Sequence, residues 1–121
     1  MADRLLQISW SQPVRGREER SLEVFDATMG VLGRRQQEGR IESFDVNLLR
    51  PNAQERGGSI DIRGTQRQID ELQEDPEFTA CMIDAALAVN RLAQCEGYCG
   101  SGVSEQMERY REAATKVHQT A

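Results

Sequence analysis

Two alternating β-strand patterns within residues 40–64 constrain the fold of this chain more than any other feature. The apolar residues at every second position, over 41–49 and 59–63, are Phe44, Val46, Leu48, Ile60 and Ile62. The polar residues between them are Ser43, Asp45, Asn47, Ser59, Asp61 and Arg63. Successive side chains of a strand point to opposite faces of a sheet, so this alternation predicts two paired strands with one apolar and one polar face.

Helical periodicity flanks these strands on both sides. Over residues 17–38, Leu22, Phe25, Met29 and Leu32 recur at helical spacing and predict one buried stripe. After the second strand, Thr65 is a suitable N-cap for a helical region that Asp75 and Pro76 interrupt. Pro76 suits the first position of a new helix with Asp75 as its N-cap, and this helix is predicted over residues 76–90. A last helix is predicted over 104–117, preceded by a loop at 100–102, and its apolar face carries Met107, Tyr110, Ala114 and Val117.

Two further strand patterns, at residues 5–10 and 92–99, complete the predicted elements. The order strand, helix, strand, strand, helix, strand matches an α+β ferredoxin-like split β-α-β arrangement, followed here by an extra C-terminal helix. Right-handed connections then predict a four-stranded antiparallel sheet in the order 4-1-3-2, with both main helices on one face. A chain of 121 residues fits one domain, so we expect residues 1–121 to form a single unit.

The net charge of the chain makes some classes of binding partner unfavourable. The net charge is -5 and the isoelectric point about 4.9, which argues against binding to nucleic acid or to an acidic membrane surface. No apolar run reaches the roughly 20 residues that span a bilayer, and no secretory signal is visible. We therefore expect a cytoplasmic protein.

The three cysteines and the single histidine offer no clear metal site. An odd number of cysteines without a secretory signal favours reduced thiols. On one strand, Cys95 and Cys99 would lie about 13 Å apart, too far for a disulfide or a shared metal ion. Cys81 falls in a helical apolar stripe and is expected in the core. His118 lies in the C-terminal tail, so we expect neither a metal nor a cofactor.

The polar sheet face is the first candidate for a binding surface. Asp45, Asn47, Asp61 and Arg63 would lie together on it if the two strands pair in register. Arg63 could then donate a forked pair of hydrogen bonds to an anionic ligand. The alternative, which we favour, is a cross-strand ion pair that lines a dimer interface.

Three other residues complete the candidate set. Trp10 and Tyr98 could hold an aromatic substrate between them, although filling of a core or an interface is the simpler role for both. Glu96 could act as a general base if it were buried. A surface or ion-paired glutamate is the simpler reading of Glu96.

The order and lengths of the elements over residues 5–99 resemble the dimeric α/β-barrel superfamily, which holds the antibiotic-biosynthesis monooxygenase-like, EthD-like and YCII-like domains. The segments ISWSQPVRGREE and RGTQRQIDELQEDPEF are similar to those of small bacterial proteins of this type. The resemblance implies a homodimer whose two sheets pack face to face as a barrel, and in some members a small-molecule site between sheet and helices. Many active members use a histidine or haem, a pattern from which this chain departs because its only histidine is His118.

We therefore expect a small-ligand-binding or accessory protein that forms a barrel-like homodimer. One alternative is a cofactor-independent oxygenase or isomerase that acts on a small aromatic or polyketide-like compound. Another is a structural homodimer without a ligand. A closed pocket that contains Asp61, Arg63 or Glu96 would favour an enzyme or a binding protein, whereas ion-paired or solvated side chains there would favour a structural dimer.

Overall fold

The computed structural model describes residues 2–120 of the chain and the side chains of residues 2–117. The elements, in chain order, are β1 (Arg4–Trp10), α1 (Glu18–Gln37), β2 (Ser43–Leu48), β3 (Gly58–Gly64), α2 (Gln66–Gln73), α3 (Pro76–Ala88), β4 (Ala93–Tyr98) and α4 (Ser101–Thr120).

The four strands form one antiparallel sheet in the order β2-β3-β1-β4. This is the predicted order 4-1-3-2, so the ferredoxin-like α+β fold is confirmed. Ile8 of the central strand β1 lies between Ile60 of β3 and Gln94 of β4. Because paired residues point to the same side of a sheet, this register assigns every strand residue to one of two faces.

One face of the sheet packs under the helices and forms the core. Leu6, Ile8, Ile60 and Ile62 lie in one buried cluster with α1 residues such as Leu32 and with several α2 and α3 side chains. Burial of a side chain of this size contributes about 1.5–3 kcal/mol relative to leaving it exposed. Val46, predicted on this face, is only partly covered because β2 is the edge strand of the sheet.

The buried side of α1 differs from the predicted stripe. Leu22 is 66% exposed, whereas Val24, Thr28 and Val31 are buried. Leu32 of the predicted stripe is fully buried and Phe25 and Met29 are half-buried, so the buried side of α1 is broader than the stripe and leaves out only Leu22. The physical reason is that α1 packs against α3 as well as against the sheet. Thr28 is therefore buried, and its hydroxyl is satisfied because it donates to the Val24 carbonyl.

A buried ion-pair network joins the end of α1 to the start of α3. Arg35 donates from Nε to Asp75 at 2.6 Å and from Nη2 to Glu77 at 2.6 Å. Asp75 also caps α3 by accepting from the backbone N–H groups of Glu77 and Phe78, as the sequence predicted. The hydrogen bond from Arg35 lowers the pKa of Asp75, and in return the Asp75 carboxylate raises the pKa of Arg35.

The C-terminal helix begins earlier than the sequence suggested. Ser101 and Gly102, predicted as a loop, form the first turn of α4, which continues to Thr120. A Cβ atom at Gly102 would lie 2.2 Å from the carbonyl oxygen of Asp3, so only glycine allows this close approach. Within residues 2–120, none of the helices has the length and apolar character needed to cross a membrane.

Candidate functional site

Four of the candidate residues lie together on the face of the sheet that the helices leave uncovered. Gln7 donates from Nε2 to Asp61 at 2.9 Å, and Asn47 donates from Nδ2 to the other Asp61 oxygen at 3.2 Å. Arg63 donates from Nη1 to Asp45 on the neighbouring strand. The four side chains are thus paired across strands rather than converging on an empty site. A cross-strand ion pair was the interpretation that we favoured from the sequence.

The other three candidates point to the opposite, helix-covered side of the sheet. Tyr98 pairs with Arg4, six residues along β1 from Trp10, so roughly 20 Å separates the two aromatic positions. An aromatic clamp between Trp10 and Tyr98 of one chain is therefore wrong. The Tyr98 ring instead lies 4.9 Å from the Arg4 guanidinium.

Glu96 is exposed and does not meet the condition set for a general base. It accepts a hydrogen bond from Gln66 Nε2 at 3.5 Å, at the end of the sheet away from Trp10. The candidate set therefore does not form one site, because Asp61 and Arg63 lie on one sheet face and Glu96 on the other.

The structure shows instead an apolar pocket of about 170 Å³ between the sheet and the helix pair α1 and α3. Trp10 is the one candidate from the sequence that lines it. The exposed side chain of Leu22 stands at its edge. The lining residues are Ile8, Trp10, Pro13, Ser21, Leu22, Val24, Phe25, Thr28, Ile60, Met82, Ala85, Ala88, Val89 and Leu92.

Aromatic rings form one end of this pocket. The Trp10 and Phe25 rings meet edge to face, with centroids 6.3 Å apart and an interplanar angle of 68°. Such a pair presents both a ring face and a ring edge to its surroundings, which suits contact with another aromatic group. The pocket therefore has walls that can hold a flat apolar molecule.

Small residues on α3 leave the space open. Ala85 and Ala88 are three residues apart on one face of α3 and pack opposite Val24 of α1. Larger side chains at these two positions would occupy the pocket. Two alanines at this spacing were the sequence signal for the pocket, but alanine is also an ordinary helix former and does not by itself indicate a cavity.

The polar side-chain groups of the lining residues are the indole N–H of Trp10 and two hydroxyls that already donate to the backbone. Thr28 Oγ1 donates to the carbonyl of Val24 at 2.8 Å, and Ser21 Oγ donates to that of Glu18 at 2.6 Å. None of the lining residues carries an ionisable side chain. The arrangement can bind apolar surface, but it supplies no group that would transfer a proton.

A wider surface groove of about 950 Å³ adjoins the pocket, and both share Trp10 and Pro13. The groove runs between the loop that connects β2 to β3 and the residues that follow α3. Glu55 and Arg91 face each other across it at 4.0 Å. The groove thus gives the apolar pocket a polar, solvated rim.

The cysteines do not add a reactive site. Cys81 is buried in the core, as predicted, while Cys95 is exposed on the uncovered sheet face. Cys99 follows β4, its Sγ donates to the Arg4 carbonyl at 3.3 Å, and burial raises the pKa of its thiol. Over the part of the chain that the structure describes, no group of side chains could hold a metal ion. The His118 side chain lies outside that part.

Comparison with known proteins supports the fold and goes no further. Neither protein-family models nor curated proteins match the sequence. The chain is similar to a crystal structure of a dimeric protein of unknown function and ferredoxin-like fold from Bacteroides fragilis NCTC 9343. They share 12% identity and a TM-score of 0.58, over 79% of this chain and 96% of that one.

A second similar structure is a dimeric ferredoxin-like protein of unknown function from Jannaschia sp. CCS1. It shares 12% identity with this chain and gives a TM-score of 0.61, over 78% of this chain and 97% of that one. Both likenesses confirm the ferredoxin-like architecture, and both neighbours are dimers. No specific activity is attached to either of them.

Proposed function

We propose that this protein binds a small apolar molecule, of the size of one or two aromatic rings, in the pocket between the sheet and the α1–α3 pair. The observation that carries the proposal is the apolar cavity of about 170 Å³ beside Trp10 and Phe25. An apolar cavity of about 150 Å³ can hold a benzene molecule, so this pocket, which is open to solvent on the side of Leu22, has a comparable volume.

Binding is better supported than catalysis. An oxygenase or isomerase acting without a cofactor on a small aromatic or polyketide-like compound needs a positioned group for proton transfer. The polar side chains of the pocket wall are Ser21 and Thr28, whose hydroxyls donate to backbone carbonyls, and Trp10, whose indole N–H is not a general acid or base. We therefore infer a binding or accessory role for the pocket rather than an enzymatic one.

Filling the pocket tests this proposal. Ala85→Leu adds three carbon atoms to the pocket wall, whereas Ala86→Leu makes the same change at the next, exposed position of α3. Toluene is titrated against each protein, and binding is followed by fluorescence of Trp10, the single tryptophan. We expect saturable binding to the unaltered chain and to Ala86→Leu, and at least about tenfold weaker binding to Ala85→Leu.

Ala88→Val is a milder filling variant that keeps the test valid if Ala85→Leu does not fold, and urea unfolding of each variant monitors the fold. Toluene binding that is equal in Ala85→Leu, Ala88→Val and Ala86→Leu would place the ligand elsewhere. The absence of saturable binding to the unaltered chain would contradict the proposal itself.

We further propose that the chain forms a homodimer through the uncovered face of its sheet. The support is that both similar structures are dimers and that Asp45, Asn47, Asp61 and Arg63 form a hydrogen-bonded polar layer on that face. Polar, water-containing interfaces are common between protein subunits. A structural dimer without a ligand remains the alternative if the pocket binds nothing.

Four broader proposals accompany this one. The order of the elements supports a relationship to the dimeric α/β-barrel superfamily, with its antibiotic-biosynthesis monooxygenase-like, EthD-like and YCII-like members, and hence to small bacterial proteins. The net charge of -5 supports a protein that does not bind nucleic acid. The odd number of cysteines supports a cytoplasmic location. The length supports a single domain over residues 1–121.

A further inference from the structure

The groove beside the apolar pocket carries an excess of positive charge. Its ionisable lining residues are Arg56, Arg91 and Glu55, two positive charges and one negative, so the groove has a net charge of +1. The whole chain, in contrast, has a net charge of -5. A locally positive groove favours a ligand with an anionic group over a ligand with a cationic one.

The two arginines of the groove keep their hydrogen-bond donors available. Within residues 2–117, the Arg91 side chain has one ionic contact, with Glu55 at 4.0 Å, which is beyond hydrogen-bond distance. The Arg56 side chain makes neither a hydrogen bond nor an ion pair there, since only its backbone is bonded, to Asn52. A guanidinium group offers five N–H donors in a fork that matches a carboxylate. Both groups are therefore able to bind the carboxylate of a ligand.

The backbone of Glu55 and Arg91 is held in an uncommon conformation. Among the non-glycine residues that the structure describes, these two alone have a positive φ, which is 56° for each. Ser11 fixes both segments: its hydroxyl donates to the Glu55 carbonyl, and its backbone N–H donates to the carbonyl of Asn90 at 2.9 Å. Left-handed backbone costs free energy at such residues and is found preferentially at ligand-binding positions. The two charged residues are thus preorganised on opposite sides of the groove.

The groove and the apolar pocket lie side by side. Trp10 lines both spaces. In the segment after α3, Val89 and Leu92 line the pocket, while Asn90 and Arg91 between them line the groove. Because consecutive Cα atoms are about 3.8 Å apart, the apolar wall and the charged wall are close neighbours. A ligand whose ring lies in the pocket needs only a short chain to reach the groove.

We propose that the ligand of the Trp10 pocket is an aromatic carboxylic acid, whose ring lies in the pocket and whose carboxylate binds Arg91 and Arg56 in the groove. This inference rests on the proposed function, because the ring must occupy the pocket. A short alkyl chain between the ring and the carboxylate allows the molecule to extend past Trp10. The carboxylate takes the place of Glu55 beside Arg91, since a contact of 4.0 Å between two side chains that are 70% and 71% exposed is weak.

An acid and its neutral amide test the role of the carboxylate. We compare 3-phenylpropanoate, which is ionised at neutral pH, with 3-phenylpropanamide, which has the same ring and chain length. Each is titrated against the unaltered chain, and the fluorescence of Trp10 reports binding. We expect the acid to bind about fivefold more tightly, which is the range that an exposed ion pair allows. Equal affinities, or tighter binding of the amide, would overturn the proposal.

Replacing single charges tests where the carboxylate lies. Arg91→Gln removes a positive charge from the groove, whereas Arg67→Gln removes one from α2, which lines neither the groove nor the pocket. We expect Arg91→Gln to lose the preference for the acid and Arg67→Gln to keep it. Glu55→Gln should strengthen it, because the competing carboxylate is gone. A preference that is equal in Arg91→Gln and Arg67→Gln would mean that the assignment to the groove is wrong.

Toluene and Ala85→Leu separate a failure of this inference from a failure of the pocket proposal. If toluene binds in the pocket but the acid binds no more tightly than the amide, the pocket proposal stands and the inference about the carboxylate fails. If neither toluene nor the acid binds, both fail. Ala85→Leu should also weaken binding of the acid, since its ring lies in the same space. Binding of the acid that Ala85→Leu leaves unchanged would place it outside the pocket and contradict the inference.

Discussion

At the scale of single residues, Arg35 and Asp75 form the most deeply buried ion pair of the described part of the chain. The two side chains are 8% and 2% exposed, whereas Arg34 and its partner Glu77 are both more than half exposed. Exposed ion pairs contribute about 0–1 kcal/mol, but removing one partner of a buried pair leaves a charge in a poorly solvated place. We therefore expect Arg35 to contribute much more to the free energy of unfolding than its neighbour Arg34 does.

Replacing each arginine in turn measures this difference. Arg35→Met should lower the free energy of unfolding by about 3–5 kcal/mol because Asp75 loses its buried partner. Arg34→Met, one residue away, should lower it by no more than about 1 kcal/mol. Urea denaturation of the two variants checks the expectation. Equal losses would mean that Arg35 is solvated like a surface residue.

The same pair predicts a dependence of stability on pH. The hydrogen bond from Arg35 lowers the pKa of Asp75, so the folded state binds this proton less tightly than the unfolded state does. The stability that Asp75 contributes is therefore fully present above its unfolded pKa of about 3.9 and is lost as pH falls through its folded pKa.

Asp75→Asn isolates this effect because asparagine is also a good helix N-cap. The difference in unfolding free energy between the unaltered chain and Asp75→Asn should be constant near neutral pH. It should shrink as the solution is made more acidic than about pH 4. Urea denaturation across the acid range measures the difference. A gap that widened with acid would contradict the assignment.

At the scale of elements, two helical glycines have opposite roles. A Cβ atom at Gly102, in the first turn of α4, would meet the Asp3 carbonyl at 2.2 Å. A Cβ atom at Gly33, inside α1, would find nothing within 4 Å. One glycine is therefore required where α4 meets the start of β1, and the other only weakens its helix.

The same substitution at both positions should change stability in opposite directions. Gly33→Ala should raise the free energy of unfolding by up to about 1 kcal/mol because alanine is the better helix former. Gly102→Ala should lower it by about 1–3 kcal/mol, since the added methyl group forces the chain apart there. Urea denaturation of the two variants provides the comparison. A stabilised Gly102→Ala would show that α4 can move away from Asp3 without cost.

At the scale of the whole molecule, the two faces of the sheet lie in different environments. The helix-covered face forms the core and one wall of the pocket, while the other carries the polar network around Asp61. On β4, Cys95 pairs with Gln7 and lies on the uncovered face, whereas Gln94 pairs with Ile8 and lies on the covered one. Both side chains are exposed in the single chain.

An arginine at each of these adjacent positions tests the proposed sheet-face dimer. Cys95→Arg should weaken dimerisation because it places an unpaired charge in the interface, and Gln94→Arg should leave it unchanged. Light scattering distinguishes the dimer from a monomer of 13.6 kDa. If Cys95→Arg remained as dimeric as Gln94→Arg, the copies would not meet through this face.

Local sequence patterns were enough for the strands, their order and most helix boundaries. The alternation around Phe44 and Ile60 encodes strand faces residue by residue, and Asp75 with Pro76 marks a helix start by local hydrogen bonding and backbone geometry. These signals act over a few residues, so they can be read without knowing the rest of the fold. The alternation also placed Arg63 and Asp45 on the same face of the sheet, whereas the ion pair between them is diagonal, since Ser43 lies directly opposite Arg63.

Only the tertiary structure decided where the pocket lies and which charges are buried. The pocket depends on which face α1 turns inward and on Ala85 and Ala88 lying opposite it, more than fifty positions along the chain. Arg35 meets Asp75 across 40 positions of the chain. Periodicity reports that a helix has an apolar side, but packing between helices and sheet selects the side and the space left within it. For that reason the sequence identified Trp10 as a candidate binding residue, but it did not predict the pocket that Trp10 lines.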